Sequence, residues 1–247
     1  MTKEVKKWWE GASKYYQEEC KIPVDIHYGP GSPNENHLRL LGNLKGKKVL
    51  EIGCGGAQCG IAMAKQGAKV TGIDISEEQL KFAKALAEKN KVRIKLIQGS
   101  FQDLGKIGAN SHDIAFSAFA FHYSPDLGKL FRQTNRILKK NGLFVFSLDH
   151  PFSRTADSKT LKLKNSYFKT GKWVETFNDP TKKFIMYTHT ISELYNSLVE
   201  SGFLVEKIIE PDSRKRYPYD SWYGLWDYTP KYLKMFPPTI IFKCRKK

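Results

Sequence analysis

The chain lacks the marks of a secreted, membrane-bound or metal-dependent protein. Its 247 residues hold four cysteines, Cys20, Cys54, Cys59 and Cys244, with no CxxC pair and no zinc-type spacing to histidine. Free thiols in a reducing compartment are the expectation, and no metal site is expected. No stretch approaches the roughly 20 consecutive apolar residues of a membrane helix. The start, MTKEVKKWWEGASKYY, is charged and then aromatic, which does not fit a secretory leader. A cytoplasmic location without membrane contact follows as an expectation. Internal repeats and low-complexity linkers are absent too. Arginine is scarce, at eight of 41 basic residues, although only 25 acidic residues oppose them and the formal charge is +16. A nucleic-acid partner would suit that charge. The lysines are spread along the chain, as in Lys3, Lys47, Lys84, Lys139, Lys182 and Lys234. That spread reads as solvated faces rather than a phosphate grip of arginines among aromatics.

What is present is a globular composition, 40% hydrophobic, with strands and helices in alternation. KKVLEIG (47–53) reads as a buried parallel strand ending in glycines, and AQCGIAMAKQG as a helix stopped by Gly67. AKVTGID (68–74) is a second strand. Ser76 and Gln79 have the spacing of a capping box, opening a helix from about Glu77 to Lys89. Strands follow at VRIKLIQG (92–99) and HDIAFSAF (112–119). A helix over 126–139 leads to Asn141-Gly142 and a fifth strand, LFVFSL (143–148). A helix near 190–200 precedes two last strands, FLVEKIIE (203–210) and TIIFKCR (239–245). The fold class is α/β, a doubly wound and mostly parallel sheet with helices on both faces.

Three segments break the rhythm: residues 1–44, 150–189 and 211–238. In open α/β sheets the ligand sits beyond the carboxyl ends of the strands, where such connections fold over it. The second segment carries Tyr167, Phe168, Trp173, Phe177 and Phe184. The third carries Tyr217, Tyr219, Trp222, Tyr223, Trp226 and Tyr228. These aromatics are expected to form a cap around a substrate.

The chemistry begins at the turn after the first strand, Glu51-Ile-Gly53-Cys54-Gly55-Gly56. Glycines there let the backbone turn at positive φ and let a nucleotide-like ligand approach without a Cβ in the way. Asp74 ends the second strand, where a carboxylate accepts hydrogen bonds from ribose hydroxyls. A dinucleotide fingerprint needs glycine or alanine at position 58, which is Gln58. A carboxylate at Glu51 would repel a pyrophosphate, yet it suits the ammonium group of S-adenosylmethionine. The sulfonium cofactor is favoured.

At this level the chain resembles the class I S-adenosylmethionine-dependent methyltransferases, in their small-molecule (type 11-like) branch. VLEIGCGGAQ (49–58) resembles their glycine-rich motif and VTGIDIS (70–76) their ribose-binding acidic loop. QGSFQDL (98–104), HDIAFSAFAFHYSPD (112–126) and LKKNGLFVFSLDHP (138–151) resemble the three motifs that follow. The resemblance runs from about 45 to 150 and implies a Rossmann-like sheet whose last strand is antiparallel. It implies a lid segment over 1–44 and a methyltransferase domain over 45–247, with cap insertions at 150–189 and 211–238. It further implies that Gly53, Cys54, Gly55 and Gly56 line the methionine part, and that Asp74 holds the ribose with Ile75 against the adenine. Ser100 stands where the family usually has an acidic residue, so the adenine relies on Phe101 and backbone contacts, or on Asp103. Ser117, Ala118 and Phe119 would pass the methionine moiety, with His122 near the methyl group. Tyr16 occupies the place of a lid tyrosine.

The cofactor carries the difficult chemistry. The protein must align a nucleophile, exclude water and, for a protonated nucleophile, take a proton. His122 and His150 are the leading catalytic candidates, followed by His189, Glu210 and Asp149. The sequence has no Asn-Pro-Pro-Tyr motif and no RNA-binding appendage, so a small-molecule acceptor is expected, with S-adenosylhomocysteine as product. Two rivals stand beside it. One is an RNA methyltransferase gripping through basic loops in 150–189, and the other a non-catalytic S-adenosylmethionine-binding protein.

Overall fold

The computed structural model describes residues 3–176, 183–213 and 228–247. A seven-stranded sheet has the order β3-β2-β1-β4-β5-β9-β8. Its strands are β1 (Lys48–Ile52), β2 (Lys69–Asp74), β3 (Lys95–Gln98), β4 (His112–Ser117), β5 (Leu138–Asp149), β8 (Phe203–Ile209) and β9 (Thr239–Lys246). β9 runs antiparallel to both β5 and β8, and the pairs β1–β2, β1–β4, β2–β3 and β4–β5 are parallel. The antiparallel final strand is as expected.

Alternation along each strand divides the core into two layers. Leu50, Ile52, Ala115, Phe144, Phe146 and Phe242 face α5 (Leu127–Ile137), α6 (Ile191–Glu200) and the inner side of α1 (Lys3–Glu19). Phe146 stacks on Phe242 at 5.1 Å. On the other face Val49, Val70, Ile114, Phe116 and Val145 pack against α3 (Gln58–Lys65) and against Ile26, Tyr28, Leu40 and Leu41. That second layer includes the segment around α2 (Glu35–Leu38). Both faces are covered at the centre of the sheet, so β1, β4, β9 and the later part of β5 are buried over most of their length and read as hydrophobic runs. Among the described residues no helix is long and apolar enough to cross a membrane.

Three local expectations change. Ser76 caps α4 (Glu77–Lys89) by accepting from the Gln79 amide, but the Gln79 side chain does not return to it. It bonds Gln17 instead, while the Ser76 amide is taken by Asp74 Oδ1. The complete capping box is at α6, between Thr190 and Glu193. β5 begins at Leu138, before Asn141-Gly142, because that pair forms a bulge inside the strand, with Asn141 at φ 60°, rather than a turn before it. The segment 150–189 is no plain loop. It holds an antiparallel hairpin of β6 (Gly171–Thr176) and β7 (Lys183–Thr188). A short α7 (Pro230–Leu233), capped by Thr229, precedes β9.

Candidate active site

A cleft opens at the carboxyl ends of β1, β2 and β4. The chain leaves β1 through Gly53 (φ 69°) and Gly55 (φ 52°), a left-handed path that glycine takes without strain. A Cβ on Gly53 would meet Ala120 at 2.6 Å, and one on Gly56 would meet the Gln17 amide at 2.6 Å. The turn therefore forms a backbone-walled cradle that side chains would fill. Asp74 braces it: Oδ2 accepts from the Gly55 amide and Oδ1 from the Ser76 amide, both at 2.9 Å. Each oxygen keeps a lone pair for a further donor. Burial pushes the Asp74 carboxyl up, and the Ser76, Gly55 and Ile75 amides pull it back.

Glu51 lies on the floor, 3% exposed, and its Oε2 has no hydrogen-bond partner of good geometry. Burial raises its carboxyl to about 8, offset only in part by the nearby Gly60 amide, with Asp74 adding to the rise. A buried, under-satisfied carboxylate beside an open cradle calls for a cationic group from a ligand. Ile75, Phe101, Ala118 and Phe119 supply apolar wall. This combination fits S-adenosylmethionine: a carboxylate for its ammonium, a second for its ribose, and apolar surface for its adenine.

Helix α1 forms the roof. Trp9, Tyr16 and Gln17 line the cleft, with Tyr16 edge-on to Trp9 at 5.1 Å. Two sets of bonds hold the helix down. Glu10 accepts from the Glu77 and Glu78 amides at 2.9 and 3.2 Å, so it caps α4 from outside. Gln17 donates to Gln79 at 2.7 Å and accepts from Gln58 at 2.6 Å.

Tyr16, Glu51, Gly53, Cys54, Gly55, Gly56, Asp74, Ile75, Phe101, Ala118 and Phe119 all lie on the cleft wall. Three other expected residues do not line it. Ser117 is fully buried and donates to the Ile52 carbonyl at 2.7 Å, which ties β4 to β1. Ser100 accepts from the Gln102 amide at 3.1 Å. Asp103 is exposed, its carboxylate bound to the Gly105 amide at 3.0 Å. Of the two adenine alternatives, Phe101 is the one on the wall.

His122 stands behind the cleft. Its ring lies 5.2 Å from Phe119 and 4.2 Å from Tyr123, and burial lowers it to about 4. Its other side faces a second, smaller cavity that Asp149, Ser153, Arg154, Tyr187 and His189 also line. There Asp149 accepts from Ser153 at 2.7 Å and from the Tyr228 hydroxyl, and Arg154 reaches Asp149 at 3.5 Å and Glu175 at 2.8 Å. His150 borders the same cavity with both nitrogens engaged: Nδ1 accepts from the Phe152 amide at 3.1 Å and Nε2 bonds Glu210 at 2.8 Å. The first of these fixes the proton on Nε2, which donates to the carboxylate. Burial lowers His189 as well.

The expected aromatic cap divides. Phe184 is core, packed edge-on to Trp8 and Tyr123. Phe168 is exposed, and Trp173 donates to Glu175 at 3.1 Å. The Tyr167 hydroxyl accepts from the Ile191 amide at 2.9 Å. Phe177, Tyr217, Tyr219, Trp222, Tyr223 and Trp226 fall outside the described residues. The sequence reading missed Trp9, Glu10, Gln17 and Tyr123, and it also missed Arg154. Glu10 and Gln17 are polar positions on an amphipathic helix, and no spacing separates them from solvated ones.

Residues 50–146 match the methyltransferase-domain family. A ubiquinone biosynthesis O-methyltransferase of Vibrio parahaemolyticus is 31% identical over 144 residues, 58% of this chain and 61% of that enzyme. An uncharacterised protein of Haemophilus influenzae is 29% identical over 228 residues, 85% of each chain. The fold is shared with an S-adenosylmethionine-dependent methyltransferase structure from Mesorhizobium loti. The TM-score is 0.68 at 24% identity, covering 85% of this chain and 95% of that one.

Proposed function

The chain belongs to the class I S-adenosylmethionine-dependent methyltransferases, and on that premise we propose that its acceptor is a small molecule held against Phe119, His122 and Tyr123. The cofactor supplies an electrophilic methyl group on its sulfonium. The chain's own groups bind, orient and exclude water. The unused lone pairs of Asp74 take the ribose hydroxyls, and Glu51 balances the ammonium group from below. Ile75 and Phe101 flank the adenine, while the Gly53–Gly56 backbone admits the methionine part. Tyr16 and Gln17 cover the site from α1.

Enclosure is the observation that carries the small-molecule reading. Among the described residues, the cleft is roofed by a helix tied down through Glu10 and Gln17, and the smaller cavity beside His122 is walled by buried Asp149, His150 and Met186 together with half-buried Arg154, Tyr187 and His189. A nucleobase on an RNA strand would have to pass that roof with its backbone attached.

The proton inventory narrows the acceptor. His122 is held neutral with little affinity for a proton, and His150 has committed both nitrogens. These two therefore act as positioning groups, and the nucleophilic atom enters already able to attack, as an ionised oxygen or sulfur or an unprotonated amine. The experiment is methyl transfer from radiolabelled S-adenosylmethionine into a whole-cell extract, split into a small-molecule filtrate and a macromolecular retentate. Label in the filtrate supports the reading. Label confined to RNA or protein in the retentate overturns it.

A further inference from the structure

The opposite edge of the sheet carries a second feature that methyl transfer does not use. β1, β2 and β3 begin on lysines, Lys48, Lys69 and Lys95, and a cleft at this edge is lined by these three and Arg93. The register sets Lys48 directly beside Lys69, and Thr71 beside Lys95. Residues paired across strands, and residues two apart on one strand, share a face. Lys48, Lys69 and Lys95 therefore point to one side as close neighbours. Like charges placed side by side on a sheet are unfavourable unless something of opposite sign joins them.

Among the described residues none of the four cations has an ion-pair partner. Asp113, next to His112, is already engaged: Oδ1 pairs with Lys139 at 2.7 Å and Oδ2 accepts from the Lys48 amide at 2.7 Å. His112 completes the wall, bonded to Ser111 at 2.8 Å. Burial lowers its pKa, and Lys48, Lys139 and Lys95 lower it further against the pull of Asp113.

We propose that this edge of the sheet binds a phosphate-dense polyanion, the chemistry shared by a free polyphosphate chain and an RNA backbone. Three of the four cations are lysines, compact charges suited to phosphate oxygens without fixed geometry. The Thr71 hydroxyl adds a donor, and no Phe, Tyr or Trp is among the described residues that line the cleft, so His112 is the one ring on which a base could stack there. The ligand is not the methyl acceptor. At about 3.3 Å per residue, β1 alone separates this edge from the active cleft by about 15 Å.

The test titrates the full chain with inorganic triphosphate and, separately, with a short single-stranded RNA, following both heat and the His112 ring resonance. Lys69→Glu/Lys95→Glu is compared with Lys129→Glu/Lys207→Glu, which changes net charge equally at exposed positions elsewhere on the fold. Saturable binding that raises the His112 pKa, weakened about tenfold or more by the first pair and under about twofold by the second, is the expected result. RNA binding much tighter than triphosphate, with a steeper salt dependence, assigns the site to a nucleic-acid backbone; equal or weaker RNA binding assigns it to free polyphosphate. Equal weakening by the two pairs would mean diffuse charge and would overturn the proposal, as would absence of binding at physiological salt. S-adenosylmethionine binding verifies the fold of each variant, and Lys69→Gln/Lys95→Gln replaces a Glu pair that fails to fold.

Discussion

Gly60 lies so close to Glu51 that a Cβ on it would come within 2.4 Å of the carboxylate Oε2. The glycine is helical, in α3, and its backbone has no need of positive φ. Alanine at an ordinary helical glycine stabilises by about 1 kcal/mol. Here the added methyl must displace Glu51 or strain the helix against β1 and β2, an overpacking cost of about 1–3 kcal/mol. Gly60→Ala is expected to lower the unfolding midpoint and to weaken S-adenosylmethionine binding together. A variant with a raised midpoint and unchanged affinity would separate the two residues.

Glu51 also sets a pH dependence. Its carboxyl is raised to about 8 from an ordinary value of 4.5. Below the ordinary value both folded and unfolded chains are protonated and no penalty applies. Between there and about 8 the unfolded chain ionises and the folded one does not, so this group's contribution to stability is lost progressively as pH rises. Glu51→Gln is therefore expected to gain stability over the native chain across that window and to hold the gain above it. The same shift predicts proton release when the cofactor's ammonium group binds at neutral pH. Calorimetry in two buffers of different ionisation enthalpy measures it, and identical heats in both would remove Glu51 from the binding reaction.

Asp74 is expected to dominate cofactor affinity. Two charge-assisted hydrogen bonds to ribose contribute about 3 kcal/mol between them, or about a hundredfold in dissociation constant. Asp74→Ala also frees the Gly55 and Ser76 amides it now holds. Titration with S-adenosylmethionine and S-adenosylhomocysteine, with NAD alongside, reads the loss. Retained affinity in the variant would place the ribose elsewhere.

The fold and the cofactor cleft were legible to different depths. β1 and β2 were readable because each is a short apolar run ending on residues with one chemical purpose, the glycines and Asp74. The antiparallel β9 was placed by resemblance, since TIIFKCR has no local mark of strand direction. The β6–β7 hairpin was masked by its aromatic content, which reads equally as a flexible cap. Ser117 and Phe101 show the limit at the level of single side chains. Ser117 ends β4 and Phe101 follows β3, yet one turns inward to a carbonyl and the other forms wall, and only packing decides between them. The α1 contacts were invisible for another reason. Gln17, Gln58 and Gln79 come together from three helices, and no local pattern encodes a meeting of that kind.

The attachment of α1 is separable from the chemistry. Glu10 touches the α4 amides and does not line the cleft. Glu10→Ala removes an N-terminal cap, at about 1 kcal/mol, and loosens the roof. The expected outcome is faster amide exchange in α1, with a severalfold rise in KM for S-adenosylmethionine and little change in kcat. A fall in kcat at constant KM would instead make α1 part of the catalytic step.

His122 and His150 invite the opposite experiment, because burial holds both rings below their ordinary pKa. A histidine so placed stabilises the fold above its ordinary value of 6.5, and that contribution is lost as pH falls toward the folded value, about 4 for His122. His122 does not change charge around neutral pH in the folded chain, so it gives no activity limb there. The pH–rate profile between about 5.5 and 7.5 is expected to carry no step that is lost in His122→Ala, unlike that of an enzyme with a histidine base of ordinary pKa. Positioning predicts a loss seen mainly in KM for the acceptor when His122 becomes alanine. For His150→Ala it predicts a smaller loss, transmitted through the unpaired Glu210 and Phe152 amide. Full turnover in both variants with the true acceptor would end the proposal that these rings shape its site. A pH limb near 6.5 that disappears in His122→Ala would restore His122 as a base and return protonated hydroxyls and thiols to the range of acceptors.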